Sequence, residues 1–421
     1  MKVLGNYSFY ELPACIETLF DKNVTLLPSV TELFELELAF LEYKSLPKDQ
    51  IIERSAYIQS IDGKFTTHYL MYNQTCEGLI ENRSNVTKNY FENGTFSTGY
   101  ATHGLFPYRG KFHPQLIKAL LNIIGVEKGQ TILDPMCGSG TANIEAALMG
   151  INSYAVDISP FCQFMTQAKY DALQITDNSL SLLVENRDKL FNFFSQGNIL
   201  KKLKNVTDNE KLAIYNLALL AYLDSMGYSK RVIKSDHRQL FEKVLTRYEN
   251  TVRNFINNPY FKKVQLGKLN VLPDSDALDL KIVDNSIDGV ITSPPYSFAI
   301  DYAKNDEAQL EYLGYNIEKI KGKMIGLIGK NKDERLNNYF RDMKKVCSEI
   351  YRVLKNDKYF IMIIGSNTNQ TGGIRLEKTI IQNCEEIGLK LVKSILKPIK
   401  GMRNTMKDEY LLFFQKNPDR N

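Results

Sequence analysis

The spacing of apolar residues divides the chain into stretches of different character. In the first hundred residues the pattern is mixed. Glu32 to Tyr43 places Leu33, Leu36 and Phe40 at three- and four-residue spacing, which predicts a helix with those three on one face. Residues 73–102 are rich in Asn, Gly, Ser and Thr, and predict a long loop or a domain boundary. From about Thr102 short apolar runs alternate with helical stretches. His113-Pro114 opens a helix, since proline suits the first helical position, and Leu116, Leu120, Ile123 and Ile124 form its apolar face before Gly125 and Gly129. Thr131-Ile132-Leu133 predicts a short buried strand, followed by a glycine turn, a helix up to Gly150, and a second strand at Ser153 to Val156. This alternation of strand, helix and strand is the grammar of a parallel sheet covered by helices.

Residues 171–263 interrupt that grammar with a long helical pattern poor in strand signal. It resumes with predicted strands at 264–270, 287–292, 359–364, 389–396 and 410–414, and a helix over 339–354 that turns Met343, Val346, Ile350 and Val353 to the core. The expected organisation is an N-terminal accessory region (1–100), a first core segment (101–170), a helical insertion (171–263) and a second core segment (264–421). The fold class is α/β, with about seven strands in a mixed sheet.

Composition narrows the function classes. The 421 residues are 43% hydrophobic and 24% charged, as in a globular chain of two or three domains. Six scattered cysteines without a C-x-x-C pair, and four histidines without metal-ligand spacing, argue against a structural metal and a disulfide framework. They fit a reducing, cytoplasmic setting. No secretory signal and no membrane-spanning run of about 18 apolar residues is expected. The net charge of +5 is mild, but it is unevenly spread. Residues 201–263 hold thirteen Lys/Arg against six Asp/Glu, with Lys230, Arg231, Lys234 and Arg238 close together. Such a cluster suits a nucleic-acid backbone; the alternative is a solvated helical face.

Three segments carry candidate chemistry. In Asp134-Pro135-Met136-Cys137-Gly138-Ser139-Gly140-Thr141 a strand delivers the chain to a glycine turn that opens a helix. Gly138 and Gly140 allow close backbone approach, and the helix start offers unpaired N–H groups. Asp134 is placed to meet a ligand's ammonium group. The turn is neither a Walker loop nor a full dinucleotide fingerprint. Asp157, after the next strand, is placed for ribose hydroxyls or as a helix cap. Asp276-Ala277 is open to a similar double reading, as cap or as acceptor for an adenine amino group. The third segment, Ser293-Pro294-Pro295-Tyr296, follows a buried strand. Two prolines stiffen it and leave carbonyls without ladder partners, beside a hydroxyl and a flat aromatic ring. Such a rim can accept hydrogen bonds from an exocyclic amine while the tyrosine stacks on the base.

Together these segments resemble the amino-group DNA methyltransferases. Ser293-Pro294-Pro295-Tyr296 is similar to the family's catalytic motif in the form typical of cytosine-N4 enzymes. Asp134 to Thr141 resembles its first cofactor motif and Asp157 its ribose-binding acid. The stretch from Thr102 to Phe112, with Tyr108, Lys111 and Phe112, resembles a cofactor-flanking motif, and Asp288-Gly289-Val290 and Asp301-Tyr302 also fit. Met136 stands where the family usually has an aromatic residue. The resemblance covers about 102–170 and 264–416, not the first hundred residues or the insertion. It implies a Rossmann-like methyltransferase core and S-adenosyl-L-methionine as cofactor, with Ile158 and Ala277 in its site. It further implies methyl transfer to the N4 of cytosine in double-stranded DNA by base flipping, and it leaves room for a cognate restriction endonuclease as a partner. Adenine-N6 and RNA guanine-N2 transfer are the competing readings.

Overall fold

By Cα packing the chain falls into two units, residues 1–97 with 118–125, and residues 98–117 with 126–421. The computed structural model describes residues 19–21, 23–72, 99–108, 110–199, 209–229, 236–273, 275–295, 302–365, 371, 373–399 and 408–417.

The first unit contains β1 (Val24–Leu26), α1 (Leu33–Ser45), α2 (Lys48–Arg54), β2 (Ile58–Ile61), β3 (Lys64–Phe65) and α3 (Thr67–Tyr72), with its strands in an antiparallel sheet ordered β1-β2-β3. Helix α1 forms where the apolar spacing places it, but the expected face is not the buried one. Leu33 is 81% exposed, whereas Leu38, Ala39 and Glu42 are buried. The reason is Glu42, whose carboxylate accepts from the Ala56 N–H at 2.7 Å, the Tyr57 N–H at 3.2 Å and the Asn122 amide at 2.6 Å. Three donors orient the helix more firmly than an apolar stripe does. Most of the expected loop over 73–102 lies outside the described residues; its end is a short 3-10 turn, Ala101–Gly104.

The second unit is built on one seven-stranded sheet. Helix α4 (Pro114–Ile123), whose residues 118–123 count with the first unit, precedes β4 (Thr131–Asp134), α5 (Thr141–Leu148), β5 (Asn152–Ala155) and α6 (Pro160–Asp171). The insertion supplies α7 (Asp177–Glu185), α8 (Arg187–Ser195), α9 (Asn209–Ser229) and α10 (His237–Ile256). Then come β6 (Leu269–Val271), β7 (Ile287–Thr292), three short helices α11 (Tyr302–Asn305), α12 (Glu307–Tyr312) and α13 (Ile317–Lys321), and the long α14 (Lys332–Val353). The fold ends on β8 (Leu354–Gly365), α15 (Leu376–Ile387), β9 (Leu389–Pro398) and β10 (Asp408–Lys416).

The strand order is β6-β5-β4-β7-β8-β10-β9. The run from β6 to β8 is parallel, and β10 lies antiparallel to both of its neighbours. The sheet is therefore mixed, as the sequence pattern predicts. Strand β6 is shorter than the expected 264–270. Gly267 passes so close to the backbone of Ile151 that a Cβ there would sit 2.0 Å from the Ile151 carbonyl oxygen, and its N–H bonds the Ala147 carbonyl at 2.9 Å. That crossing takes up the backbone before the ladder can begin.

The connectivity runs outward in opposite directions from β4 and β7. Between their carboxyl ends lies the point at which an open α/β sheet leaves a crevice for a ligand. All six residues of β7 are buried. One apolar cluster joins β7 and β8 to α14 and α15, through residues such as Val290, Phe360, Met343, Val346 and Ile380. A second joins α6 to the insertion, through Phe161, Met165, Phe194, Leu217, Phe241 and Tyr248. The insertion groups with the second unit and shares the core of that unit.

Candidate functional site

At that crevice lies a cavity of about 710 Å3. The glycine turn forms one wall. Gly138 and Gly140 adopt positive φ of 50° and 75°, which favours glycine. A Cβ on Gly140 would lie 2.6 Å from both Thr166 Cγ2 and Oγ1. The turn is fastened to the residues that follow β5 by two bonds, the Cys137 N–H to the Val156 carbonyl and the Gly138 N–H to Asp157 Oδ2, each 2.9 Å. The other Asp157 oxygen accepts from the Ser159 N–H at 2.8 Å. Burial nevertheless holds the Asp157 carboxyl above its ordinary range, against those two bonds.

Of the residues singled out for the cofactor, Tyr108, Lys111, Phe112, Pro135, Met136, Gly138, Thr141, Asp157, Ile158, Asp276 and Ala277 line the cavity. Ser293 and Pro295 line the same cavity. The two motifs, more than 150 residues apart in sequence, thus face one space. Lys111 turns its ammonium to the His103 carbonyl at 2.9 Å, which fixes its stem against the wall. Asp276 accepts from the Leu278 N–H at 2.7 Å in a local turn, and no helix follows for it to cap: the next element is β7.

Asp134, Gly140 and Pro294 are not part of the wall. Asp134 is fully buried, and its Oδ1 accepts from the Thr292 hydroxyl at 2.9 Å and the Met136 N–H at 3.2 Å. Its Oδ2 has no hydrogen-bond partner among the described residues. Desolvation pushes this carboxyl up to about 7, against the pull of Thr292 and Met136. Asp134 thus ties the end of β4 to the end of β7 across the switch point. Tyr296, Asp301, Lys230, Arg231 and Lys234 lie outside the described residues. Arg238 is described, and it bonds Asp188 at 2.7 Å with Glu242 at 3.8 Å.

Several participants escape the sequence reading. Thr292 sits inside a segment noted for its prolines, and its bond to Asp134 needs the sheet order to be visible. Lys169 is 1% exposed and donates to the Ser139 carbonyl at 3.2 Å, bracing the glycine turn from behind. Burial lowers its ammonium well below the usual lysine range. A lysine on the buried side of an amphipathic helix is the signal that could have revealed it. Lys397 and Glu409 line the cavity as a cross-strand pair, 2.5 Å apart. His113 also lines it, and burial, with Lys397 and Lys111 nearby, lowers its imidazole to about 4. Among the described residues no group of three or more His, Cys, Asp or Glu is placed to hold a metal, and no helix is long and apolar enough to cross a membrane.

Comparison with known proteins matches two stretches of the chain separately. The family model for the RMKL-like methyltransferase domain matches residues 105–215, and the N6_N4_Mtase model, a DNA methylase, matches residues 287–421. The chain is 25% identical over 281 residues to the Type II methyltransferase M.BsoBI of Geobacillus stearothermophilus, covering 52% of this chain and 54% of that protein. It thus spans about half the length of that relative. It is 22% identical to the Type II methyltransferase M.AvaI of Nostoc sp., over 87% of this chain and 94% of that one. A shorter likeness, 45% over 53 residues, links it to the tRNA (guanine(10)-N2)-dimethyltransferase of Methanothermobacter thermautotrophicus, covering 13% of this chain and 16% of that protein. The cofactor that goes with these matches is S-adenosyl-L-methionine. A methyltransferase-domain model thus matches the segment that carries the glycine turn and a DNA methylase model the segment that carries Ser293 and Pro295, and in both the chain is similar to the amino-group DNA methyltransferases.

Proposed function

We propose that this protein transfers a methyl group to the exocyclic N4 of cytosine in duplex DNA. The observation that carries the reading is the shared cavity: Gly138, Met136 and Asp157 line it together with Ser293 and Pro295. A methyl donor and an acceptor amine therefore have one space in which to meet. The donor set suits the cofactor, because the glycine turn allows close backbone approach and buried Asp157 faces the space. Asp134 lies just behind it with one oxygen that has no partner among the described residues, a negative neighbour for a cation. Gly138, Met136, Thr141, Asp157 and Ile158 would hold S-adenosyl-L-methionine, with Tyr108, Phe112, Asp276 and Ala277 as further residues of the same wall.

When bound, the cofactor supplies an activated methyl group on a sulfonium. The acceptor amine is a poor nucleophile, since its lone pair is delocalised into the ring. Ser293 and the Pro294 carbonyl would accept hydrogen bonds from the amine and localise its lone pair, so that positioning and fixed dipoles lower the barrier, and the one proton that the amine gives up on methylation would pass by way of these acceptors to solvent. Tyr296 stacks on the base. A base inside a duplex cannot reach such a cavity, so it is extruded first. Lys230, Arg231 and Lys234 are the candidates for contact with the DNA backbone, whereas Arg238, expected with them, is already paired with Asp188; a Type II restriction endonuclease is the partner this activity would accompany.

Incubation with cofactor and duplex DNA, digestion to nucleosides and mass spectrometry tests the reading. N4-methylcytosine supports it, and N6-methyladenine replaces it with the adenine form. The short likeness to the tRNA enzyme favours a second reading, RNA guanine-N2 transfer. Methyl label appearing in RNA in preference to DNA, under competition, would establish that one instead.

A further inference from the structure

We propose that Tyr248, on insertion helix α10, is a positioning residue for the cofactor cavity, acting through the backbone of Phe106. The inference rests on the cofactor reading of that cavity. Tyr248 is fully buried. Its hydroxyl accepts the Phe106 N–H at 2.7 Å and donates to Asp224 Oδ2 at 3.0 Å. The same Asp224 oxygen takes the Arg247 guanidinium at 2.6 Å, and that guanidinium lies 5.3 Å from the Tyr248 ring centroid. The tyrosine hydroxyl is thus held between a carboxylate that orients it and a backbone donor that it captures.

What it captures is an unusual residue. Phe106 has φ of 59°, a left-handed conformation in which a bulky side chain crowds its own backbone. Such a conformation persists only where the surroundings hold it. Here they do so at two points, the bond to Tyr248 and an edge-to-face contact with Phe161 at 5.0 Å between ring centroids. The bend has a visible result. The Phe106 carbonyl accepts the Tyr108 N–H at 2.9 Å, closing a three-residue turn around Pro107. Tyr108 then lies against the glycine turn, with its Cε1 only 3.4 Å from where a Cβ of Gly138 would be, and its hydroxyl 3.5 Å from Cys162 Sγ. Tyr108 forms part of the cavity wall. A continuous path of contacts therefore runs from Asp224 through Tyr248, Phe106 and Tyr108 to the glycine turn. The insertion shapes the cofactor wall from 142 residues away in sequence.

The test compares Tyr248→Phe with Val252→Ala. Val252 is buried on the same helix and takes no part in the path. Both variants loosen α10, but only the first leaves the Phe106 N–H without its acceptor. Calorimetric titration with S-adenosylmethionine is expected to show affinity weakened about tenfold in Tyr248→Phe, the scale of one buried hydrogen bond, and unchanged in Val252→Ala. Hydrogen exchange at the Phe106 amide in ligand-free protein is expected to accelerate in Tyr248→Phe alone. Wild-type affinity in Tyr248→Phe, or equal weakening in both variants, overturns the proposal. If wild type binds no S-adenosylmethionine, the cofactor reading fails. The exchange data then decide the tether by themselves, and unchanged Phe106 exchange overturns it.

Discussion

The glycine turn after β4 and the basic helix α10 use their polar groups in opposite ways. At the turn, backbone donors and Asp157 bond one another and still present atoms to the cavity. In α10, each arginine already has a carboxylate: Arg238 has Asp188, Arg247 has Asp224, and Arg253 has Asp177 and Glu249. A surplus of Lys/Arg in sequence is therefore not a surplus of available positive charge. These pairs lie at the surface and join α10 to α7, α8 and α9, so that each of the three arginines already has a carboxylate neighbour.

The sharpest way to break this contrast is at the turn. Gly140→Val adds a side chain at positive φ and drives it into Thr166, and it is expected to abolish the rise in melting temperature that S-adenosylmethionine gives the wild type. A wild-type shift in the variant would place the cofactor elsewhere. Next in size is the rim. Ser293→Ala is expected to lower turnover by about 10²-fold, and Tyr296→Ala to weaken binding of the extruded base by about 1–3 kcal/mol. Titration should show unchanged cofactor affinity in both. Loss of that affinity along with turnover would deny the rim its separate role.

A pH profile is expected to give a smaller effect. Burial lifts Asp134 to about 7, from roughly 3.9 in an unfolded chain. The folded state therefore keeps the proton longer, and this group makes stability fall as pH rises from about 4 to 7. Glu42 in the first unit, also lifted to about 7 by burial, has the same sign, so melting curves sum the two. Ligand affinity separates them. A cationic cofactor beside Asp134 favours its ionised form, so affinity should rise with pH up to about 7, and Asp134→Asn should flatten that rise. A profile unaltered in Asp134→Asn would assign the proton to another group. The smallest effect tests α10 against the residues just before it. Neutralising Lys230, Arg231 and Lys234 together should make the log–log salt dependence of DNA binding shallower by about 1 for each phosphate that these side chains neutralise in the wild type. Arg238→Gln, which removes a residue already paired with Asp188, should leave that slope nearly unchanged. An equal change in both would mean that the pairing does not matter.

The strands and the glycine turn were legible because short apolar runs and glycines report local requirements. Ile287 to Thr292 is a strand in the sequence pattern and in the structure alike. The burial of Asp134 was not legible, since it depends on Thr292 arriving from a strand 158 residues later. Lys397 and Glu409 share a wall only because β9 and β10 pair in one particular register. The exposure of Leu33 escaped for a related reason: local periodicity says which residues share a face, and the partners of Glu42 say which face turns inward. Pairing between distant segments is what separates a set of motifs from a site.

The place of β10 in the sheet bears on the order in which the molecule can assemble. β10 follows β9 in the chain yet lies between it and β8. Among the described residues β9 has no other neighbour in the sheet, so it joins the sheet only through the strand made after it. During synthesis, α15 and β9 therefore leave the ribosome before their place in the sheet exists, with Leu389 and Ile395 still uncovered by the partner strand. Long-range pairing of this kind is slow and exposes apolar surface while it waits. The three lysines of β9, Lys390, Lys393 and Lys397, are the kind of residue that keeps such an unpaired edge from joining another chain.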